Sequence, residues 1–76
     1  MGGGPVDLSD LVKRSFSLAG HRTSVALEPE FWLALTELAA QRGMALAALV
    51  AQVDVARLPG RKLASSLRVT ALTSRS

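Results

Sequence analysis

Nine lysines and arginines face six aspartates and glutamates in this 76-residue chain, and their placement says more than the net charge of +3. All six acids lie at or before Asp54. Beyond it come Arg57, Arg61, Lys62, Arg68 and Arg75 with no acid among them. A second basic group, Lys13, Arg14 and Arg22 with His21 beside it, stands near the start. The chemistry such side chains offer is attraction of an anionic partner, nucleic acid first. Catalytic sets are absent. One histidine, no cysteine and few acids leave little for acid–base or nucleophilic work. His21, next to a turn and Arg22, reads as a solvated strand residue or a phosphate contact. Asp54 with Gln52 or Arg57 suggests no catalytic geometry, and Ser65-Ser66 reads as a helix start. No enzyme, metal site or cofactor is therefore expected.

The elements that position these residues follow from periodicity. In Val12–Leu18, the residues Val12, Arg14, Phe16 and Leu18 alternate with Lys13, Ser15 and Ser17, which suits a short strand over about 13–18. Ala19-Gly20-His21 turns the chain, Gly20 being able to adopt positive φ. In His21–Leu27, Thr23, Val25 and Leu27 alternate with Arg22, Ser24 and Ala26, a second strand. The two strands can form a hairpin or a continuous arm kinked at Gly20. At Glu28-Pro29-Glu30 the period changes. Proline suits the first helical position, and Phe31, Ala34, Leu35 and Leu38 then follow a helical repeat over about 29–42. Gly43 is the expected terminator. A second helix over about 45–58 carries Leu46, Leu49, Val50 and Val53 and ends at Pro59-Gly60, although Ala45 is a poor cap. Leu67, Val69 and Ala71 alternate like a strand, while Leu63, Leu67 and Ala71 repeat like a helix. Residues 1–11, with three glycines, read as a flexible lead that is neither a signal peptide nor a myristoylation site.

Size sets a further constraint. A chain this short is marginal as a monomer, yet 49% of it is hydrophobic and it has no cysteine to cross-link. One strand and two helices are too little to close a core, and small scaffolds without disulfides or metals often oligomerise. An obligate homodimer is expected, with Val25, Leu27, Phe31, Trp32, Leu35, Leu38, Leu46, Leu49, Val50 and Val53 in its core. Trp32, one residue past Phe31, reads as a core or interface aromatic. No apolar run approaches the roughly 20 residues of a membrane span, so no membrane partner and a cytoplasmic location are expected.

The order strand, proline-led helix, glycine turn, apolar helix in RTSVALEPEFWLALTELAAQRGMALAALVAQV resembles the ribbon-helix-helix superfamily, to which the Arc and Met repressors belong. The flanks KRSFSLAGHRTSV and LASSLRVTAL look like one bacterial subfamily of it. The resemblance implies a mainly α fold with a short β-ribbon, an intertwined homodimer, an extra N-terminal strand and a third helix over about 64–73. It also implies double-stranded DNA as partner, the ribbon lying in the major groove, and a role in transcription regulation. Carried over, Arg22, Ser24 and Ala26 would face the bases: Arg22 toward guanine or a phosphate, Ser24 toward several partners, Ala26 toward a thymine methyl. Lys13, Arg14 and His21 would meet phosphates, together with the backbone N–H groups of Ala45 and Leu46. The alternative is the same scaffold used as a protein-interaction or antitoxin-like module. In it the ribbon and the Leu63–Leu72 helix bind a protein partner.

Overall fold

A two-residue turn decides the topology. In the computed structural model, which describes residues 10–74, strands β1 (Val12–Leu18) and β2 (His21–Leu27) pair antiparallel within the chain. Ala19 and Gly20 connect them, with φ of 52° and 82°. Two successive positive φ values define the type I′ turn whose twist matches paired strands. Glycine adopts that geometry freely, whereas alanine in the left-handed region costs about 1–2 kcal/mol. Because the side-chain period is two, the register separates the faces cleanly. Val12 opposite Leu27, Arg14 opposite Val25, Phe16 opposite Thr23 and Leu18 opposite His21 share one face. Lys13 opposite Ala26, Ser15 opposite Ser24 and Ser17 opposite Arg22 share the other.

Three helices cover the first of these faces. Helix α1 (Pro29–Gln41) starts with Pro29 at its first position, and the Glu28 carbonyl accepts the N–H groups of Phe31 and Trp32 at 3.0 and 3.3 Å. It ends at Gly43, φ 69°, where the Gly43 N–H reaches the Ala40 carbonyl and the Met44 N–H reaches that of Ala39. That paired pattern is the Schellman closure. The chain then bends by 98° into α2 (Leu46–Ala56). A second turn follows, with Pro59 and then Gly60 (φ 84°) at its centre and the Arg61 N–H on the Leu58 carbonyl. It leads to α3 (Leu63–Thr73). Lys62, not a serine, is the N-cap of α3, and Ser66 is buried inside it. The ambiguous tail is helical because Leu63, Leu67 and Ala71 fall on one face and are all buried. Thr70 and Thr73 are accommodated by bonding back to the carbonyls of Ser66 and Val69 at 2.8 and 2.9 Å. α2 starts one residue later and ends two earlier than its periodicity suggested. The expected flexible lead lies, up to Ser9, outside the described residues.

The core closes within one chain. Leu27, Leu35, Leu49, Val50 and Leu67 are fully enclosed, joined by Leu18, Val25, Trp32, Leu38, Ala39, Leu63 and Ala71. Of the ten residues expected in a dimer core, Val25, Leu27, Trp32, Leu35, Leu38, Leu49 and Val50 are buried here, and Phe31, Leu46 and Val53 pack against them partly buried. The expectation that one chain could not close a core is corrected. It weighed one strand and two helices, whereas β1 and α3 supply the missing walls: α3 lies on β2, and α2 on β1.

Two contacts lock β1 and α3 to the start of α1. The Trp32 indole N–H donates to the Val12 carbonyl at 2.7 Å, its ring lies 5.8 Å from that of Phe16, and the Arg14 guanidinium sits 5.4 Å above it. On the other side, Arg68 of α3 holds the Glu28 carboxylate at 3.0 Å and lies over Phe31. The Glu28 carboxyl is held below its ordinary value, first by a backbone hydrogen bond at Glu28 itself and then, against some desolvation, by Arg68.

Replacing Trp32 with Phe removes the bond to Val12 while keeping an aromatic ring. It is expected to cost about 1–2 kcal/mol in urea unfolding, with hydrogen exchange accelerated in β1 more than in α2. Since the Glu28 carboxyl titrates lower in the folded chain than in the unfolded one, its contribution is complete above its ordinary pKa of 4.5 and is lost as the pH falls below that. The stability difference between the native chain and the Glu28→Gln variant, measured by urea unfolding across that range, should shrink toward acid.

Candidate nucleic-acid interface

The face of the hairpin turned from the helices carries Lys13, Ser15, Ser17, Arg22, Ser24 and Ala26. All are exposed except Ala26, which is half-buried, and no carboxylate stands among them. At its centre the Ser15 and Ser24 hydroxyls lie 3.1 Å apart in a hydrogen bond. Each keeps capacity for a further partner, because a hydroxyl offers one donor and two acceptor positions. Arg22 stands opposite the short Ser17, and Lys13 opposite the still shorter Ala26. Both long cations therefore rise beside small neighbours, unobstructed by bulk across the strand. Ala26, which offers no grip of its own, leaves room for Lys13.

Of the residues expected to contact a nucleic acid, the fold brings Arg22, Ser24, Ala26 and Lys13 onto this one surface. Arg14 is exposed, but register places it opposite buried Val25 on the other parity, with its guanidinium 5.4 Å from the centre of the Trp32 ring. His21 is exposed at the turn, but it too belongs to the parity of the helix-side residues. Ala45 is the N-cap of α2, without a side-chain cap bond, and its carbonyl accepts the N–H groups of Ala48 and Leu49 at 3.0 and 3.1 Å. The first-turn N–H groups that precede these, including that of Leu46, are the ones available to an anion at this end. Ser15 and Ser17 were missed. Serine carries little signal by type, and their place on the outer face emerges only once β1 is registered against β2.

The remaining basic residues divide. Arg57 is engaged, its guanidinium on Asp54 at 2.9 Å and on the Arg61 carbonyl at 2.7 Å, and Arg68 is held by Glu28. The pairing of Asp54 with Arg57 is a tie at the end of α2, a geometry that spacing alone had not suggested. Lys13 and Arg22 have no carboxylate within salt-bridge distance among the described residues. Among those same residues, no group of histidine, aspartate and glutamate side chains could hold a metal ion. No single helix is long and apolar enough to cross a membrane.

The outer edge of β2 is the second feature of the surface, for among the described residues the sheet has only the two strands. In a two-residue hairpin the residues flanking the turn exchange both backbone bonds, and the ladder alternates from there. Arg22, Ser24 and Ala26 therefore direct their N–H and C=O groups away from β1, toward the free edge. An unpaired edge of this kind is a template for another strand.

No curated protein and no solved structure shows significant similarity to the chain. Residues 11–74 match the sequence profile of the ribbon-helix-helix domain, a stretch that takes in both strands and all three helices. Members of that family are in general regulators that pair into dimers and bind DNA. The chain thus belongs to the ribbon-helix-helix family.

Proposed function

We propose that this chain is a dimeric DNA-binding protein, a transcriptional regulator that lays its β-ribbon in the major groove. The observation that carries the reading is the outer hairpin face: cations and hydroxyls, no carboxylate, on a two-stranded frame. The partner chain pairs along the free edge of β2, giving the strand order β1-β2-β2-β1 across the two-fold axis. Four strands spaced about 4.8 Å apart span roughly 14 Å between outer axes, more than the groove's width of about 12 Å. The central strands therefore enter the groove, and the outer ones ride on its walls. This divides the labour. Arg22, Ser24 and Ala26 of both chains face base edges, Arg22 as the strongest reader through guanine N7 and O6. Lys13, with Ser15 and Ser17 beside it, meets phosphates, and the first-turn N–H groups of α2 at Ala45 and Leu46 add a backbone clamp.

A second reading is favoured by the small residues. With alanine at 26 and 45, the surface holds one long reading side chain per β2 strand, and the scaffold then serves as a protein-interaction module. The two readings separate by salt. A DNA-binding protein loses affinity linearly in log salt, with a slope set by the phosphates it neutralises. Titrating random and genomic DNA fragments over a salt series should show this slope. A dimer that binds no DNA even at low salt overturns the reading.

Two variants partition the surface. Arg22→Ala should cost about 1–3 kcal/mol on the preferred sequence and relax preference at one base pair. Lys13→Ala should weaken binding to all sequences alike and reduce the salt slope by about 1. Equal, sequence-blind losses for both would assign Arg22 to phosphate instead of base.

A further inference from the structure

Ser15 and Ser24 form one rung of the hairpin ladder. Leu18 and His21 flank the turn, and counting from them places Ser15 opposite Ser24 at a rung without backbone hydrogen bonds. Rungs of that kind bring side chains closest, which is how two short serines reach each other with hydroxyl oxygens 3.1 Å apart. Each hydroxyl has a single proton. One serine therefore donates and the other accepts, and the bond by itself allows either direction. The flanking side chains of the same face do not choose between them. Lys13 and Arg22 only donate, Ala26 does neither, and no carboxylate is present to take a proton. The direction is left to whatever the two hydroxyls meet outside the chain.

We infer that Ser15 is a positioning residue: it fixes the Ser24 hydroxyl as an acceptor, and so makes Ser24 select an amino group on the base it faces. This role rests on the major-groove reading, in which β1 meets phosphates and β2 meets bases. The unesterified oxygens of a phosphodiester carry no proton and only accept. Ser15 on a phosphate must give it its one proton, and then joins Ser24 through a lone pair. Ser24 gives its proton to Ser15, and only lone pairs remain for the base. The donors in the major groove are the N4 amino group of cytosine and the N6 amino group of adenine, whereas guanine N7 and O6 and thymine O4 accept. A lone serine serves either kind. This one is turned against guanine and thymine. The bonds from Ser24 through Ser15 to the phosphate all run in one direction, so each polarises the next and the Ser24 oxygen becomes a better acceptor. A strand that touches no base thereby sets the base preference of its neighbour.

The test selects duplexes with a randomised core, at one salt concentration, with the native chain and with Ser24→Ala, Ser15→Ala, Ser15→Thr and Arg22→Ala. Ser15 and Ser24 are exposed, so their variants should fold, which circular dichroism checks. The position whose preference changes in Ser24→Ala is the one Ser24 faces. There the native chain should favour adenine or cytosine over guanine or thymine on the nearer strand by about two- to ten-fold, the worth of one net hydrogen bond. Ser15→Ala should bring that ratio close to one and leave intact the preference that Arg22→Ala removes. Ser15→Thr keeps the hydroxyl and should keep the ratio. A preference for guanine or thymine there, or a ratio unchanged in Ser15→Ala, overturns the inference while the groove reading stands. So does a Ser24→Ala variant whose preferences are native throughout. A native chain that binds no duplex overturns both.

Discussion

The contact between Trp32 and β1 is the joint on which the rest of the structure depends. A two-stranded hairpin alone is marginal in water. Here it is held because one indole does three things at once: it donates to the Val12 carbonyl, packs against Phe16 and underlies Arg14. Trp32 itself is 3% exposed, so the bond is made where its loss would leave a buried donor unmet. Trp32 lies in the first turn of α1, three residues after the proline that starts the helix. The place where the strand ends and the helix begins is thereby tied to the far end of β1. That tie fixes the angle between ribbon and helices, and with it the direction of the outer face.

Arg68 provides the matching tie on the α3 side. It reaches across forty positions of sequence to Glu28, which is itself the N-cap of α1. The same short junction, Glu28 to Trp32, is therefore held from β1 and from α3. Both elements were outside the strand-and-two-helices pattern of the family's core motif, and both are what allow one chain to bury Leu27, Leu35 and Leu49 completely. The consequence is a chain that encloses a core of its own and, among the described residues, leaves the outer edge of β2 without a neighbouring strand.

How much of this was readable from the residues depended on whether the signal was local. The change of period at Glu28-Pro29, the glycine stop at Gly43 and the proline turn before α3 are statements about a few neighbouring φ angles, and each element lies within two residues of its expected bounds. Pairing of β1 with β2 was left open because Ala-Gly is a weak hairpin signal; an asparagine at position 19 would have declared the type I′ turn. The helical state of the tail ran against the local preference of Val69 and Thr70. Burial of Leu63, Leu67 and Ala71 overrode it, an example of packing deciding where propensity is weak. Arg14 shows the limit most directly. Its parity with Phe16 and Leu18 was visible, but its contact with an indole eighteen residues away in sequence was not.

Charge finally separates along the same plane as the secondary structure. The ribbon's outer face is free of acid, and the carboxylates of the helices are either bound, as Glu28 and Asp54 are, or gathered beside the α1–α3 groove, as Glu30 and Glu37 are. The outer face of the ribbon therefore carries a positive local potential, while Glu30 and Glu37, without a salt-bridge partner among the described residues, place negative charge on the helical side. Arg14, one residue after Lys13 and on the opposite face, lies with its guanidinium over the Trp32 ring and so adds a cation to the joint that holds β1.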